Sequence, residues 1–277
     1  MGTLHIDVAS ALLGEPVRVV VARPAVASSD QVPWVWLLHG RGSTVADVSW
    51  VVEGLDAAMA AGDLGAHTIA APVGPWSEVA WWVDSAYGNG RPVESAVLTE
   101  VLPEVENRLG GPSGRDQRIV AGYSMGGGSA VGWLLRHESL FSAAALAAPA
   151  AFADAPPVRS STDGSGAFGV GEQQFDHDRW ASLMSYRRLL ANRRSTSAPI
   201  RVGIVVGDAE VVEDYSSASS RSSLTLEAAK LHVALLDAPG IRSSLRVIGA
   251  GHTWDFWIPA ISLALELVGR QAAAGAD

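Results

Sequence analysis

The sequence predicts an α/β fold in which a mainly parallel β-sheet is covered by helices on both faces. Short runs of β-branched and other apolar residues alternate with longer amphipathic stretches, as expected for repeated strand–helix units. Hydrophobic residues make up 48% of the 277 residues and charged residues only 18%, which allows a large core and excludes a disordered chain. No repeat of fixed period is present, so the pattern does not indicate a solenoid.

Six strands are expected, each a short apolar run between segments of other composition. Trp34–Leu38 is apolar throughout, as in a strand that is buried on both faces. The fourth strand ends at a glycine-rich turn, and the carboxyl edge of such a sheet is where functional residues concentrate. In chain order, the expected strands are residues 17–23, 34–38, 68–71, 118–123, 200–206 and 245–248.

Six helices are expected in the stretches that separate and follow these strands, because apolar residues recur there at helical spacing. Pro103 lies inside the second helix and is expected to kink it, since proline removes an N–H donor. The expected helices are residues 43–61, 94–109, 125–137, 181–192, 224–237 and 254–268.

One domain is expected to span residues 1–277, because α/β folds often run to about 250 residues around a single core. Residues 150–170 differ from the rest: Pro156-Pro157 is followed by several serines and glycines, a composition typical of a loop. This flexible excursion is either a solvated connection or a mobile flap beside the active site, since binding residues concentrate on loops at that edge of the sheet.

Charge and residue content exclude several function classes. The 20 basic and 29 acidic residues give a net charge of −9, the wrong sign for a surface that holds nucleic acid. There is no cysteine, so thiolate metal sites and cysteine nucleophiles are excluded. The only lysine, Lys230, follows an alanine, which excludes a Gly-Lys-Ser/Thr phosphate loop and leaves little prospect of Schiff-base chemistry.

The first ten residues lack a basic region followed by an apolar one, and no apolar run approaches about 18 residues. Neither a signal peptide nor a membrane span is therefore expected. A cytoplasmic location fits these features, but the sequence leaves the compartment and the oligomeric state open.

Ser124 is the candidate nucleophile. It stands in Gly122-Tyr123-Ser124-Met125-Gly126, a Gly-x-Ser-x-Gly pattern between an expected strand and an expected helix. A tight turn there lifts the serine hydroxyl above the sheet, and glycine neighbours let the turn close. The N-terminal amides of the following helix, beginning with Met125 N–H, would face a developing oxyanion.

His252 is the candidate general base, because a serine hydroxyl needs a group that takes its proton. It lies between the last expected strand and the last expected helix, near the C-terminus. The other histidines are expected to be structural or solvated. Asp176-His177-Asp178 could bind a metal, but it has no second histidine at ligand spacing, so no metal or organic cofactor is expected.

The third member of a triad is a carboxylate that orients the imidazole, and it should follow the strand at residues 200–206. Asp208 and Glu210 both lie there, and Asp214 is a weaker third candidate. A turn points successive side chains in different directions, so Asp208 and Glu210 are not both expected to face His252.

The second oxyanion amide should come from the loop after Trp34–Leu38, which reads His39-Gly40-Arg41-Gly42. Arg41 N–H is the expected donor, and the Arg41 side chain either faces solvent or meets an anionic group of the substrate. His39 is expected to be a structural residue beneath this loop and not a second base.

These segments resemble the esterase D family of α/β-hydrolases, which includes feruloyl and acetylxylan esterases, S-formylglutathione hydrolase, siderophore esterases and mycolyltransferase antigens. The most specific segments are Ser-Met-Gly-Gly at 124–127 and Gly-His-Thr-Trp-x-x-Trp at 251–257. The resemblance implies an α/β-hydrolase fold with Ser124 as nucleophile, His252 as base, and the Met125 and Arg41 amides in the oxyanion hole.

The resemblance also bears on the acid. In this family the acid stands at the fourth position of Gly-x-x-Asp, which here is Glu210. Glu210 is therefore implied as the acid in preference to Asp208, although the family more commonly has aspartate at that position. Triads with glutamate in place of aspartate are compatible with the same chemistry.

Ten tryptophans are many for this length. Trp82 and Trp254 are expected to bind substrate, because their segments should lie near the carboxyl edge and aromatic walls suit acyl chains, aryl groups and sugars. Trp76, Trp81 and Trp257 fall in similar segments, and about half of these five tryptophans are expected to line the pocket.

The expected function is hydrolysis of a small-molecule carboxylic ester through an acyl-enzyme on Ser124. One alternative is transfer of the acyl group to a sugar or alcohol acceptor. The other is a non-catalytic binding protein on a hydrolase scaffold, which is disfavoured because the serine, acid and histidine occur in the required order.

Overall fold

The computed structural model describes residues 2–24, 32–112, 114–156, 162, 164–193, 199–210 and 223–273. Ten strands lie within these residues, of which eight form one sheet and two form a separate parallel pair. The strands are β1 (Leu4–Val8), β2 (Val17–Ala22), β3 (Trp34–Leu38), β4 (Thr68–Val73), β5 (Ala86–Tyr87), β6 (Arg118–Tyr123), β7 (Ala143–Ala147), β8 (Val170–Gly171), β9 (Ile200–Gly207) and β10 (Ile241–Ile248).

The strand order in the large sheet is β1-β2-β4-β3-β6-β7-β9-β10. β2 pairs with β1 and with β4 in antiparallel register, and all neighbours from β4 to β10 in that order are parallel. Every residue of β3 and β7 is buried. Because successive side chains of a strand face opposite sides of a sheet, both faces of its centre are covered. The predicted α/β architecture is confirmed.

Eight α-helices lie in the described part of the chain, and their apolar faces contribute to the core. No helix among the described residues is both long and apolar enough to span a bilayer. The helices are α1 (Val45–Ala61), α2 (Val93–Ala96), α3 (Leu102–Leu109), α4 (Met125–Arg136), α5 (His177–Met184), α6 (Tyr186–Asn192), α7 (Leu224–Leu236) and α8 (Trp254–Ala273).

The helices next to the candidate site have defined starts and neighbours. α1 begins after Thr44, whose hydroxyl accepts from Asp47 N–H (3.3 Å) while the Asp47 carboxylate accepts from Thr44 N–H (2.8 Å). This reciprocal cap satisfies N–H groups that the first helical turn leaves unpaired. α1 packs against α8, and α4 packs against β6, β7, α5 and α6.

Two of the expected helices are interrupted. The segment expected at 94–109 contains α2, a π-helical turn at Val97–Val101 and α3, because Pro103 has no N–H for the carbonyl one turn earlier. The prediction of a single helix at 181–192 is wrong, since two helices, α5 and α6, occupy this region. Ser185 separates them, and its hydroxyl accepts from Arg188 N–H (3.2 Å), which caps α6.

The flexible excursion expected at 150–170 lies partly outside the described residues. Residues 157–161 and 163 lie outside the described residues. Ala151, Phe152, Ala167 and Phe168, on either side of them, are buried in the core. Residues 170–171 form β8, which pairs with β5. The described flanks are therefore packed in part against the core, while Asp154, Ala155 and Gly164 are exposed.

The strands that precede the candidate residues end side by side. Leu38 of β3 pairs with Gly122 of β6, and Gly207 of β9 pairs with Ile248 of β10. Only β7 lies between β6 and β9. Because these strands are parallel, the loops that follow them leave the sheet at one carboxyl edge. Those loops carry Arg41, Ser124, Glu210 and His252.

Candidate active site

Ser124 occupies a strained turn between β6 and α4. Its φ of 54° with ψ of −119° is a conformation that residues with a side chain rarely adopt. The turn is held because Ser124 N–H donates to Ala147 O (3.0 Å) and Ser124 O accepts from Gly128 N–H (3.1 Å). A Cβ at Gly126 would lie 2.0 Å from the Leu38 carbonyl oxygen, so the turn closes against β3 only with glycine there.

The Ser124 hydroxyl, the His252 ring and the Glu210 carboxylate form one hydrogen-bonded row. Ser124 Oγ lies 2.9 Å from His252 Nε2, and His252 Nδ1 lies 2.6 Å from Glu210 Oε2. The Glu210 side chain is 1% exposed and the His252 side chain 34% exposed. With Nδ1–H donated to the carboxylate, Nε2 keeps a lone pair that can take the serine proton.

Asp208 serves a different part of this edge. Its Oδ1 accepts from Ala250 N–H (3.2 Å), and its own N–H donates to Ile248 O (2.9 Å). Asp208 therefore fixes the turn after β9 against the loop after β10, and the structure brings Glu210, not Asp208, to His252. Asp214 lies outside the described residues.

The loop after β3 packs against the turn that carries Ser124. A Cβ at Gly40 would lie 3.3 Å from Ser124 Cβ, so the Gly40 backbone is next to Ser124. Gly42 N–H donates to Glu78 O (2.9 Å), which ties the loop to the segment after β4. Arg41 lies between these two contacts with an exposed side chain. Met125 is the first residue of α4, so its N–H has no acceptor within the helix.

His39 lies beneath this loop and is 1% exposed. Its Nδ1 is 2.8 Å from Gly40 O, and its Nε2 is 2.7 Å from Ser77 Oγ. Burial lowers the pKa of His39 to about 4, so the ring is neutral at pH 7. Burial also raises the pKa of Tyr123 to about 12. The groups that support the loop from below are therefore uncharged.

The structure contradicts the expectation that Trp82 binds substrate. Trp82 is 0% exposed, and its Nε1–H donates to His39 O (3.2 Å). Its own carbonyl accepts from Trp133 Nε1–H (2.7 Å). The side chain belongs to the core beneath the loop after β3, where it has no surface for a ligand. Trp76, Trp81 and Trp257 are also largely buried, at 8%, 3% and 5% exposed.

Trp254 remains accessible, at 47% exposed, and begins α8 two residues after His252. Its ring meets Trp50 of α1 edge to face, with centroids 6.0 Å apart, and Trp50 is 45% exposed. A Cβ at Gly54 would lie 2.2 Å from Ile258 Cδ1, so α1 and α8 approach closely one turn further along. We call the two exposed indole rings of Trp50 and Trp254 the Trp50–Trp254 wall. Sequence analysis missed Trp50 because nothing in its spacing distinguishes it from other residues of an amphipathic helix.

A cavity of about 490 Å³ lies beside the segment that follows β4. Trp76, Tyr87 and Arg91 are among its lining residues, and none of the triad candidates lines it. The segment that carries Trp76 also carries Ser77 and Glu78, which bond to His39 and Gly42.

Asp176-His177-Asp178 does not gather around a common point. Asp176 caps α5 by accepting from Arg179 N–H (2.7 Å), and His177 Nε2 lies 3.1 Å from Asp154 O. No cluster of three or more metal-ligating side chains occurs in the part of the chain that the structure describes. His137, expected to be structural, bonds to Glu94 Oε1 (2.6 Å).

Comparisons with known proteins agree with this architecture. The chain matches the Esterase family model ("Putative esterase") over residues 10–267. It is similar in structure to a ferulic acid esterase (21% identity, TM-score 0.68, covering 97% of each chain). It is also similar to an S-formylglutathione hydrolase from Agrobacterium tumefaciens (18% identity, TM-score 0.69, covering 98% of this chain and 99% of that chain). A third similar structure is MPT51 from Mycobacterium tuberculosis (16% identity, TM-score 0.66, covering 97% of this chain and 98% of that chain). A comparison with curated proteins gives no match.

At these identities the solved structures establish the fold, and the family match establishes the class of activity. The eight-stranded, mainly parallel sheet with helices on both faces is the α/β-hydrolase fold of these relatives. The family match covers nearly the whole chain, including Ser124 and His252. The chain therefore belongs to the Esterase family and is a carboxylic-ester hydrolase of the α/β-hydrolase fold.

Proposed function

We propose that the enzyme hydrolyses its ester through a covalent acyl-enzyme on Ser124, with His252 as general base and Glu210 as the acid. The observation that carries the proposal is the continuous row from Ser124 Oγ through the His252 ring to Glu210 Oε2, with separations of 2.9 Å and 2.6 Å. Both distances fall within the range of about 2.6–3.2 Å over which a positioned base takes a proton.

In the first half-reaction, Ser124 Oγ attacks the ester carbonyl carbon while His252 Nε2 takes the hydroxyl proton. Glu210 stays ionised and stabilises the imidazolium that forms. The carbonyl oxygen becomes anionic and accepts hydrogen bonds from the Met125 and Arg41 amides. The imidazolium then gives its proton to the alkoxide oxygen, the alcohol leaves, and the acyl group stays on Ser124.

In the second half-reaction, water replaces the alcohol. His252 takes a proton from water, the resulting hydroxide attacks the acyl carbon, and Ser124 leaves with the proton returned by His252. The 34% exposure of the His252 side chain favours water as acceptor, because solvent reaches the base without rearrangement. Product analysis with added alcohols tests this: transfer that dominates hydrolysis at low alcohol concentration would contradict water as the acceptor.

The Trp50–Trp254 wall supports contact with an apolar part of the ester. Trp254 follows His252 by two residues, and its ring and that of Trp50 are each nearly half exposed, so the pair offers an aromatic surface to an acyl or aryl group. The proposal therefore keeps Trp254 as a substrate-binding residue and adds Trp50 as a second one.

Replacement of the nucleophile tests the proposal directly. Ser124→Ala should lower kcat by about 10⁴-fold or more while the circular dichroism spectrum is unchanged, because it removes the hydroxyl that is bonded to His252 Nε2. A fluorophosphonate should label the wild-type enzyme at Ser124 and leave Ser124→Ala unlabelled. Ser182→Ala, which removes an exposed hydroxyl on α5, is the matched control and should behave as wild type. Labelling of another residue would overturn the assignment.

A further inference from the structure

We propose that His39 is a positioning residue that fixes the Arg41 amide of the oxyanion hole. The inference rests on the proposed function, because that function assigns the Arg41 amide as a donor to the substrate oxygen. The observation behind it is a bond from the His39 ring to the carbonyl of the same peptide group that contains Arg41 N–H.

The geometry of one peptide group connects the two residues. Gly40 C=O and Arg41 N–H belong to a planar trans unit, so they point in opposite directions. His39 Nδ1 lies 2.8 Å from Gly40 O. Gly40 O also accepts a longer bond from Ser43 N–H (3.4 Å). The shorter bond from His39 sets the rotation of the whole plane and directs Arg41 N–H away from His39. Gly40 itself lies against Ser124, where the substrate carbonyl would be attacked.

The proton on His39 can be assigned from its two neighbours. A neutral imidazole has one N–H and one lone pair. Gly40 O can only accept, so the proton belongs on Nδ1. The Ser77 hydroxyl has two acceptors within reach, Nε2 (2.7 Å) and Gly74 O (2.6 Å), and with the proton on Nδ1 its single hydrogen is shared with Nε2. The Nδ1–H bond also polarises the peptide group and strengthens Arg41 N–H as a donor.

The His39 ring is held in place by contacts on several sides. Trp82 packs edge to face against it at 4.8 Å and donates Nε1–H to His39 O (3.2 Å). Ser77 is fixed in turn, because its hydroxyl oxygen accepts from Gly74 N–H (3.1 Å). Trp82 therefore fixes the His39 backbone, Ser77 fixes the ring, and the ring fixes the Arg41 peptide. This gives the buried Trp82 a role in the site that does not require contact with substrate.

Asparagine and glutamine substitutions separate this role from simple filling of space. Asparagine can place an N–H close to the position of Nδ1, whereas glutamine reaches the position of Nε2. His39→Asn should keep kcat within about threefold of wild type. His39→Gln should lower kcat by about 10- to 100-fold and leave KM within about twofold of wild type. A misdirected Arg41 N–H weakens a hydrogen bond that stabilises the oxyanion mainly in the transition state.

His67 supplies a matched control for the glutamine variant. Its Nδ1 also bonds to a backbone carbonyl, Gly65 O (2.7 Å), in the loop before β4. His67→Gln should therefore leave kcat and KM unchanged. Equal kcat values for His39→Asn and His39→Gln would overturn the inference, whether both are active or both are impaired.

Two measurements do not depend on turnover. The rate of fluorophosphonate labelling at Ser124 should fall in His39→Gln and not in His39→Asn, since the phosphonyl oxygen occupies the oxyanion position. In the wild-type protein, nitrogen-15 NMR should show His39 protonated at Nδ1, a result that stands even where His39→Gln does not fold. A proton on Nε2 would overturn the inference. Labelling at a residue other than Ser124 would overturn the proposed function instead, and the NMR result distinguishes the two failures.

Discussion

Asp208 and Glu210 are two positions apart, yet their carboxylates form hydrogen bonds with different partners. Glu210 Oε2 meets the His252 ring from a buried position, whereas Asp208 Oδ1 accepts from a backbone amide. Glu210→Gln should lower kcat by about 10²–10⁴-fold, since an amide neither holds the correct tautomer reliably nor stabilises the imidazolium. Asp208→Asn is the neighbouring control and should mainly lower the thermal midpoint. Kinetics of both variants test this, and an active Glu210→Gln beside a folded but inactive Asp208→Asn would contradict it.

His39 also affects stability, because it is buried in the neutral form. An unfolded histidine ionises near pH ~6.5, while burial lowers the pKa of His39 in the folded protein to about 4. Between these values the unfolded chain binds a proton that the folded protein does not, so the free energy of unfolding falls as the pH falls. The gap between the two pKa values corresponds to about 3 kcal/mol, all of it present above pH ~6.5.

His39→Asn removes this contribution. Urea unfolding of wild type and variant at several pH values from about 7 to 4.5 should show the wild type losing more stability over that interval. The half-buried His67, whose pKa is also lowered by desolvation, is common to both proteins and cancels in the comparison. Parallel curves for the two proteins would show that folding does not lower the pKa of His39.

Among the elements, α1 and α8 form the Trp50–Trp254 wall, and Gly54 permits their close approach. Trp50→Ala should lower kcat/KM by about tenfold for aryl or long-chain acyl esters and change it little for acetyl esters, because only the former cover the indole. Trp50→Phe should recover most of the loss. Val233→Ala, at an equally exposed position on α7, is the control. An equal loss of kcat/KM for all esters would show that Trp50 supports the position of His252 and does not contact the substrate.

The elements that sequence analysis missed have weak local signals for physical reasons. β1 is an edge strand with most of its residues exposed or half buried, so it has no continuous apolar run. β7 is Ala-Ala-Ala-Leu-Ala, and alanine has low β-propensity although the strand is buried throughout. The break between α5 and α6 depends on a single serine cap at Ser185. For strands with β-branched runs, such as β2, the predicted bounds agree with the observed bounds to within one residue.

For the molecule as a whole, the order of loops along one sheet edge could be predicted, while the depth of side chains could not. The elbow at Ser124 and the loop of His252 follow from strand–turn–helix order, and the topology places them together. Trp82 and Trp254 look alike in sequence, yet one is 0% and the other 47% exposed. The Trp82 side chain is turned into the core by a backbone with φ of 53°, which is held by α4. Such a conformation depends on tertiary contacts and leaves no local pattern.

The sheet is not equally protected across its width. β3, β6, β7 and β9 form its centre and are almost entirely buried, whereas the edge strand β10 has many exposed or half-buried residues. Ser124 follows a central strand and His252 follows β10. An opening confined to β10 exposes less apolar surface than one that reaches the centre, so it costs less free energy.

Native-state hydrogen exchange should therefore be faster in residues 241–248 than in residues 118–123, by about 10²-fold or more. Peptide-resolved mass spectrometry measures this directly. Because His252, the proposed base, follows the less protected strand, activity should also be lost at a lower urea concentration than the circular dichroism signal of the sheet. Equal exchange in the two strands, together with coincident loss of activity and structure, would show that the whole sheet opens in one step and that His252 is held as firmly as Ser124.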